Sequence, residues 1–297
     1  MALYVQTNTS SINSQRMLAR STRQLDTSYE RLSSGLRINS AKDDAAGLQI
    51  SNRMASQING LTQGNRNAND GISMCQVTEG ALDEVTSMLQ RIRTLAIQSA
   101  NGTNSSAERI AINEEVQQLI KEVRRVGTDT SYGGNLKILG PDVSDTVFQV
   151  GSNAYQTISL TMKSLTTLVT VTASVPIPNS SGTTAATTID PNTTLSNMTV
   201  TSAVDSQKTI AFMSEIIRQV DSYRAELGAV QNRMESTISN QENVIENVSD
   251  ARSRIRDVDY AVETANMTQQ SIIQQASTTI LTQANQKTQI AMNLLQG

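Results

Sequence analysis

Apolar residues recur at alternating steps of three and four along two long stretches of the chain. The longest run passes through Ile210, Met213, Ile217, Val220, Arg224, Leu227, Gln231, Met234, Ile238, Gln241, Ile245, Val248, Arg252 and Ile255. Such a heptad seam predicts a helix about 70 Å long that needs a partner helix to cover it. Polar interruptions at Arg224, Gln231 and Gln241 weaken the seam but can fix its register. In the first half of the chain Leu82, Val85, Leu89, Ile92 and Ala96 form one seam, and Ile112, Val116, Leu119, Val123 and Val126 form the next. Between them Ala100 to Ser106 reads as a turn, with Gly102 placed to end the first helix. These three helices can close a bundle.

The periodicity changes in the middle. Residues 146–204 hold only two charged side chains, Lys163 and Asp190, and are crowded with Ser, Thr and Val. Thr146–Val150 and Tyr155–Met162 alternate polar and apolar residues around Gly151-Ser152-Asn153, which predicts a β-hairpin. Thr166–Thr172 reads as another strand and Asn179–Thr184 as a loop. All four prolines lie between the helical arms. The expected fold class is mainly α: an elongated coiled-coil or bundle of paired N- and C-terminal arms with a small β-rich central insertion.

The two ends carry thinner stripes. Leu18, Leu25, Tyr29, Leu32 and Leu36 make one, and Ile273, Ala276, Ile280, Ala284, Ala291 and Leu294 make the other. Lone helices with so little to bury are marginal in water. Residues 1–42 and 256–297 are therefore expected to be poorly ordered in the free chain and to fold against each other and against neighbouring copies. Their outward faces, such as Gln269-Gln270, Gln274-Gln275 and Asn285-Gln286, are rich in amides and poor in charge. Such surfaces lose less on burial than Lys or Glu surfaces do. Two frayed helical tails remain the alternative at this point.

Composition removes most chemistry. Apolar residues are 37% of the 297, with two Phe, six Tyr and no Trp, which suits long surfaces of Leu, Ile, Val, Met and Ala over one aromatic core. There is no histidine, the usual acid–base catalyst near neutral pH and the commonest metal ligand. One cysteine excludes an internal disulfide or a Cys-based zinc site. A net charge of −3 provides no basic field for nucleic acid. No run of 18 apolar residues exists, so no membrane insertion is expected. Met1–Asn8 lacks a basic segment followed by an apolar one, so no Sec-type signal peptide is expected.

Individual candidates read as structure. Asp43-Asp44 after Ser40 is a helix cap, with Ser40 accepting from the first turn. Arg252-Ser-Arg-Ile-Arg256, flanked by Asp250, Asp257 and Asp259, is a salt-bridged helix face. Cys75 follows Ile72 and Ala68 on an apolar face and reads as a core residue. With Leu89, Ile92 and Ala96 turned to the seam, Gln90, Arg91 and, at an angle, Leu95 are expected to face solvent or another copy. No catalytic constellation emerges, and no cofactor is expected.

Two long segments carry a resemblance. Residues 29–59, from Tyr29-Glu-Arg-Leu-Ser-Ser-Gly-Leu-Arg-Ile-Asn39 onward, then Asn65–Ile72 and Gln90–Asn101, resemble the N-terminal signature of bacterial flagellins. Ala251–Asn266 and Gln283–Leu295 resemble the flagellin C-terminal signature. The resemblance covers roughly residues 1–140 and 205–297. It implies a subunit that leaves through the flagellar type III export channel and polymerises into the flagellar filament for motility. It implies three parts: an inner coiled-coil core of 1–42 with 256–297, a helical bundle of 43–145 with 205–255, and a small outer β-rich region at 146–204. The polymerisation seams are then Leu18, Leu25, Leu32, Ile273, Ile280 and Leu294. The implied partners are other flagellin subunits, an export chaperone, and the cap and hook-junction proteins. In flagellins of animal-associated bacteria the segment matching Gln90, Arg91 and Leu95, with Glu115 on the next helix, is recognised by the innate Toll-like receptor five. The family motif often carries Glu where this chain has Thr94. The Ser/Thr-rich middle offers O-glycosylation sites, as in some flagellins. Two rivals are a hook–filament junction protein and a coiled-coil signalling rod. The first lacks self-propagation, and the second needs a membrane anchor.

Overall fold

The computed structural model describes residues 7–134, 136–171, 175–178, 184–189 and 193–295. Three helices come first: α1 (Thr9–Ser34), α2 (Ala45–Ala100) and α3 (Ser106–Asp129). The centre holds strands β1 (Ser131–Tyr132), β2 (Leu136–Lys137), β3 (Thr146–Gln149) and β4 (Thr157–Leu160), a one-turn helix α4 (Leu165–Leu168), then β5 (Thr170–Val171), β6 (Val175–Pro178), β7 (Thr184–Ile189) and β8 (Thr193–Thr194). Two long helices close the chain, α5 (Ala203–Arg256) and α6 (Tyr260–Leu295). The fold is mainly helical, with paired terminal helices and a small strand-bearing centre, as the pattern predicts. The chain divides into two compact units, Asn59–Asn243 and a second made of Met1–Ile58 with Val244–Gly297.

In the Asn59–Asn243 unit the core is built where α2, α3 and α5 turn their seams inward. Leu82, Val85, Leu89, Ile92, Ala96, Val116, Val123, Met213 and Val220 are all buried. Phe212, Ile216 and Tyr223 widen the α5 stripe beyond two positions per heptad, as a helix packed on more than one side requires. The polar interruptions each find a partner. Arg224 reaches Asp83 at 3.2 Å and Glu79 at 3.9 Å, and Gln231 Nε2 donates to Glu79 at 3.2 Å. Gln241 Nε2 donates to the Val150 carbonyl at 2.8 Å. Sliding α5 by one turn would lose all of these, so they fix the register.

The hairpin forms as expected, β3 against β4 in antiparallel register, with Phe148 opposite Ile158. Ile158 and Leu160 point into the core while Val147 stays exposed. The hairpin end rests on α2 at Gly64, where any Cβ would stand 1.9 Å from the Val150 carbonyl oxygen. Gln149 and Gln156 tie the connecting loop. Gln149 Nε2 donates to the Asn153 carbonyl at 2.6 Å, and Gln156 Oε1 accepts from Asn153 N at 3.1 Å.

Two local expectations need correction. Thr166–Thr172 is mostly not strand. Ser164 caps a helical turn by accepting from Thr167 N, and Leu165 and Leu168 then share one buried side. Gly102 does not cap α2 in the left-handed conformation, since among the described glycines only Gly35, Gly133 and Gly134 have positive φ, and α2 stops at Ala100. Side chains help take the carbonyls at this end: Arg109 Nη1 donates to Ser99 O, Arg109 Nη2 to Asn101 O at 2.9 Å, and Asn104 Nδ2 to Gln98 O at 2.6 Å. The expected loop Asn179–Thr184 falls outside the described residues except for Thr184.

Tyr223 anchors the central segment to α5. Its buried hydroxyl accepts from Lys163 N at 3.2 Å and donates to Thr161 O at 3.4 Å, and burial pushes its pKa up. Lys163 lies 5.1 Å over the ring and pairs with Glu226 at 2.6 Å. Cys75 is fully buried, and desolvation, then the nearby Glu79, push its thiol up to about 11. A maleimide at neutral pH is therefore expected to leave Cys75 unlabelled in the folded chain and to label it after denaturation. Labelling of the native protein at the unfolded rate would refute this.

Candidate functional site

The second unit is a helix pair joined through a broken segment. Asn8 caps α1 by accepting from Ser11 N at 3.1 Å, and Gly35 ends it at φ 72°, its N–H donating to Arg31 O at 2.9 Å. Only glycine fits there without strain, since a side chain would also meet the Tyr260 hydroxyl at 2.9 Å. The break after α1 meets the break after α5. Leu36 bridges Asp257 in antiparallel fashion, Val258 N donates to Gly35 O at 3.0 Å, and Arg37 N donates to Arg256 O at 2.6 Å. Ile38 is buried beneath this joint.

Helix α2 then restarts under Asp44, whose Oδ1 accepts from Gly47 N at 2.9 Å. The expectation that Ser40 caps the helix is wrong: Ser40 donates its N–H and hydroxyl to Asp43 at 2.9 and 3.0 Å. These bonds, with one from Asn39, hold the Asp43 carboxyl below its ordinary range. The loop's carboxylate contribution is thus present above the ordinary Asp pKa and lost as pH falls through the lowered one. Arg254 pairs with Asp250 at 2.6 Å on a solvated face, as the flanking aspartates predict.

α1 and α6 run antiparallel, and their contact face keeps Leu18, Leu25, Leu32 and Ala284 of the predicted stripes but is otherwise largely polar. On α1 it reads Ser11, Ser14, Leu18, Ser21, Leu25, Ser28 and Leu32, again in steps of three and four. Facing it on α6 are Glu263, Met267, Gln270, Gln274, Ser277, Leu281 and Ala284, each buried or half-buried. Cross-links are polar: Ser11 Oγ to Asn285 Oδ1 at 3.0 Å, Ser21 Oγ to Gln270 O at 2.8 Å, and Ser28 Oγ to Glu263 Oε1 at 2.5 Å. Arg31 stands 3.5 Å from the other Glu263 oxygen. Small hydroxyl residues let the helices approach closely while satisfying the buried carbonyls.

The predicted seam residues therefore separate. Leu18, Leu25 and Leu32 lie in the α1–α6 contact, and Ile273 is half-buried. Ile280 and Ala276 are exposed, and so is Tyr29. Leu294 lies in α6, but its side chain is outside the described residues. Ile12, Met17, Val262, Ile272 and Ile290 are exposed as well. Ile272, Ile280 and Ile290 of α6 thus face away from its partner.

On the Asn59–Asn243 unit, Arg91 and Glu115 meet across α2 and α3. Arg91 Nε and Nη2 donate to Glu115 Oε1 at 3.0 and 2.6 Å, with both side chains about half exposed. Gln90 is exposed beside them, and Thr94 Oγ1 donates back to Gln90 O at 3.0 Å. Leu95 does not face outward. It is 2% exposed and belongs to the buried cluster that α2, α3 and α5 share. The exposed apolar residue nearby is Ile97. Among the described residues no group of three or more His, Cys, Asp or Glu could hold a metal ion, and no helix is long and apolar enough to cross a membrane.

Two family models match this chain: the bacterial flagellin N-terminal helical region over residues 5–139 and the bacterial flagellin C-terminal helical region over residues 210–295. Flagellin A of Vibrio anguillarum is 40% identical over 100% of both chains. Polar flagellin A of Vibrio parahaemolyticus is 37% identical over 99% of this chain and 100% of its own. Among solved structures, Bacillus cereus flagellin aligns with a TM-score of 0.46 and 22% identity, covering 59% of this chain and 88% of that one.

Proposed function

The chain belongs to the bacterial flagellin family and is a structural subunit of the flagellar filament rather than an enzyme; on that premise we propose which of its surfaces assemble the filament and which meet other partners. Flagellins are exported and self-assemble outside the cell into a polymer of their own kind. In our reading residues 1–42 and 256–297 form the inner core of that polymer, 43–145 with 205–255 the surrounding bundle, and 146–204 the outer region.

One observation carries this assignment. The α1–α6 contact mixes serines and amides with a few leucines, while Ile12, Met17, Tyr29, Val262, Ile272, Ile280 and Ile290 are left exposed. A monomer gains little from such a seam and leaves much apolar surface wet. Neighbouring subunits are the natural cover, and the terminal pair becomes firm only when they arrive. Seeds of sheared filament added to purified protein test this. Full-length chain elongates them, and a chain lacking residues 256–297 stays monomeric. Elongation by the truncated chain would overturn the assignment.

The export chaperone, the cap and the hook-junction proteins are the further partners this reading assigns. For the free monomer, the pair Arg91 and Glu115, with Gln90 beside it, is the surface we assign to the innate Toll-like receptor five. Leu95 would support this surface from beneath by seating α2. Arg91→Ala is expected to lower the signal of a receptor-reporter assay by about tenfold, a loss typical of one interface Arg anchor. An unchanged dose response would remove the assignment. The folded state is a poor confounder, because the Arg91–Glu115 pair is exposed and contributes little to stability.

A further inference from the structure

The chain contains the dipeptide Asn-Gly twice, and the fold treats the two copies oppositely. Asn59-Gly60 lies inside α2. There the Gly60 N–H belongs to the helix ladder, and its α-carbon is packed so closely on the hairpin that a Cβ would stand 2.8 Å from the Ser152 Cβ. Asn101-Gly102 lies just past the end of α2, and both residues are exposed. Nothing stands within 4 Å of where a Gly102 Cβ would be. Among the described residues no hydrogen bond engages the Gly102 N–H.

The Asn101 side chain is also turned along the main chain. Its Oδ1 accepts from Thr103 N at 3.4 Å, a bond that draws electron density from Cγ and folds the amide back over the Gly102 peptide. We propose that Asn101 is a site of spontaneous deamidation in the folded protein, and that Asn59 is protected from the same reaction by its helix.

The chemistry needs only water. The Gly102 main-chain nitrogen gives up its proton to solvent and attacks Cγ of Asn101. The new C–N bond closes a five-membered succinimide, and the Cγ–Nδ2 bond breaks to release ammonia. Water then opens the ring. Cleavage on the side-chain carbonyl leaves aspartate, and cleavage on the main-chain carbonyl leaves isoaspartate. Nothing is oxidised or reduced, and an amide has become an acid. Glycine at the second position matters because no side chain obstructs the approach. A helix blocks the reaction because the attacking nitrogen cannot leave its ladder without local opening.

The consequence falls on the end of α2. Arg109 Nη2 donates to the Asn101 carbonyl at 2.9 Å, and isoaspartate turns that carbonyl into a free carboxylate while the chain continues through the inserted methylene and Cγ. Either product also adds a negative charge at a helix C-terminus, the unfavourable end of the dipole, although Arg109 stands by to meet it. A subunit built into an extracellular polymer thereby gains an acidic charge variant with age.

The test incubates full-length protein at mildly alkaline pH and follows both peptides in one digest by mass spectrometry. The amide-to-acid mass gain is expected to accumulate on the Asn101 peptide several-fold faster than on the Asn59 peptide, and Gly102→Ala should slow it several-fold. In denaturant the two peptides should convert at similar rates, because the helix is gone. Equal rates at Asn59 and Asn101 in the native protein overturn the proposal. So does conversion of Asn101 in denaturant with none in the folded chain.

Discussion

Replacing Gly64 by alanine is expected to lower the unfolding free energy of the Asn59–Asn243 unit by about 3 kcal/mol. Helix propensity alone argues the other way, since alanine is favoured over glycine inside a helix by about 1 kcal/mol. What decides the sign is the hairpin. The new methyl would sit 1.9 Å from the Val150 carbonyl oxygen and 2.7 Å from its carbon, and that carbonyl cannot retreat cheaply. It accepts from buried Gln241 at 2.8 Å, its own N–H donates to Gln156 O at 3.0 Å, and Asn67 Nδ2 holds the Gln149 carbonyl beside it at 2.8 Å.

Pushing the strand away would leave the Gln241 amide buried with no partner, because its Oε1 already has none among the described residues. An orphaned buried amide costs about 1–3 kcal/mol, and overpacking costs a similar amount. Gly80→Ala is the control. It lies in the same helix with nothing within 4 Å, so the same chemical change there should stabilise by up to about 1 kcal/mol. Urea unfolding of both variants reads the difference directly. Equal midpoints for the two would mean that α2 does not need a bare backbone under the hairpin.

Much of this architecture could be read from spacing. The seam from Ile210 to Ile255 is buried or half-buried at every position, including Arg224, Gln231 and Gln241. Those three were readable as register devices because a charged or amide side chain on an apolar seam must find a partner, and Glu79, Asp83 and the Val150 carbonyl supply them. The hairpin was readable because alternation of two flanks a Gly-Ser-Asn turn.

The failures share a physical cause, in that counting apolar residues assumes that apolar faces pack inward. On α1 the inward positions are Ser11, Ser14, Ser21 and Ser28, chosen for small size and hydrogen bonding, so hydrophobicity points to too few of them. On α6 the contact is made by Ser277, Leu281 and Ala284, while Ile280 of the predicted stripe faces away from α1. Leu95 was misplaced for a related reason. A two-helix seam leaves it at the edge, but a helix covered by both α3 and α5 buries a wider stripe. The α4 turn was hidden by composition, since Thr and Val favour strands on average while Ser164 and the Leu165–Leu168 spacing decide locally.

The outward isoleucines of α6 lead to the second large effect. Ile272 and Ile280 are 60% and 53% exposed in the single chain, so more than half of each side chain remains to be covered. Covering that remainder is worth about 1–1.5 kcal/mol per residue, which for the pair amounts to roughly a hundredfold in the concentration of free subunit that a growing filament tolerates. The variant Ile272→Ser, Ile280→Ser is therefore expected to elongate seeds only at about a hundredfold higher protein concentration, while the Asn59–Asn243 unit unfolds at an unchanged midpoint. That combination separates an assembly role from a folding one. Leu25→Ala cuts the other way, because Leu25 lies in the contact between α1 and α6. It should loosen the terminal pair in the monomer as well as weaken growth. If the double isoleucine variant elongates seeds as readily as the unaltered chain, those faces remain in water in the filament. The serine-lined seam itself would then have to supply the assembly free energy, which its small, hydroxyl-bearing side chains are poorly equipped to do.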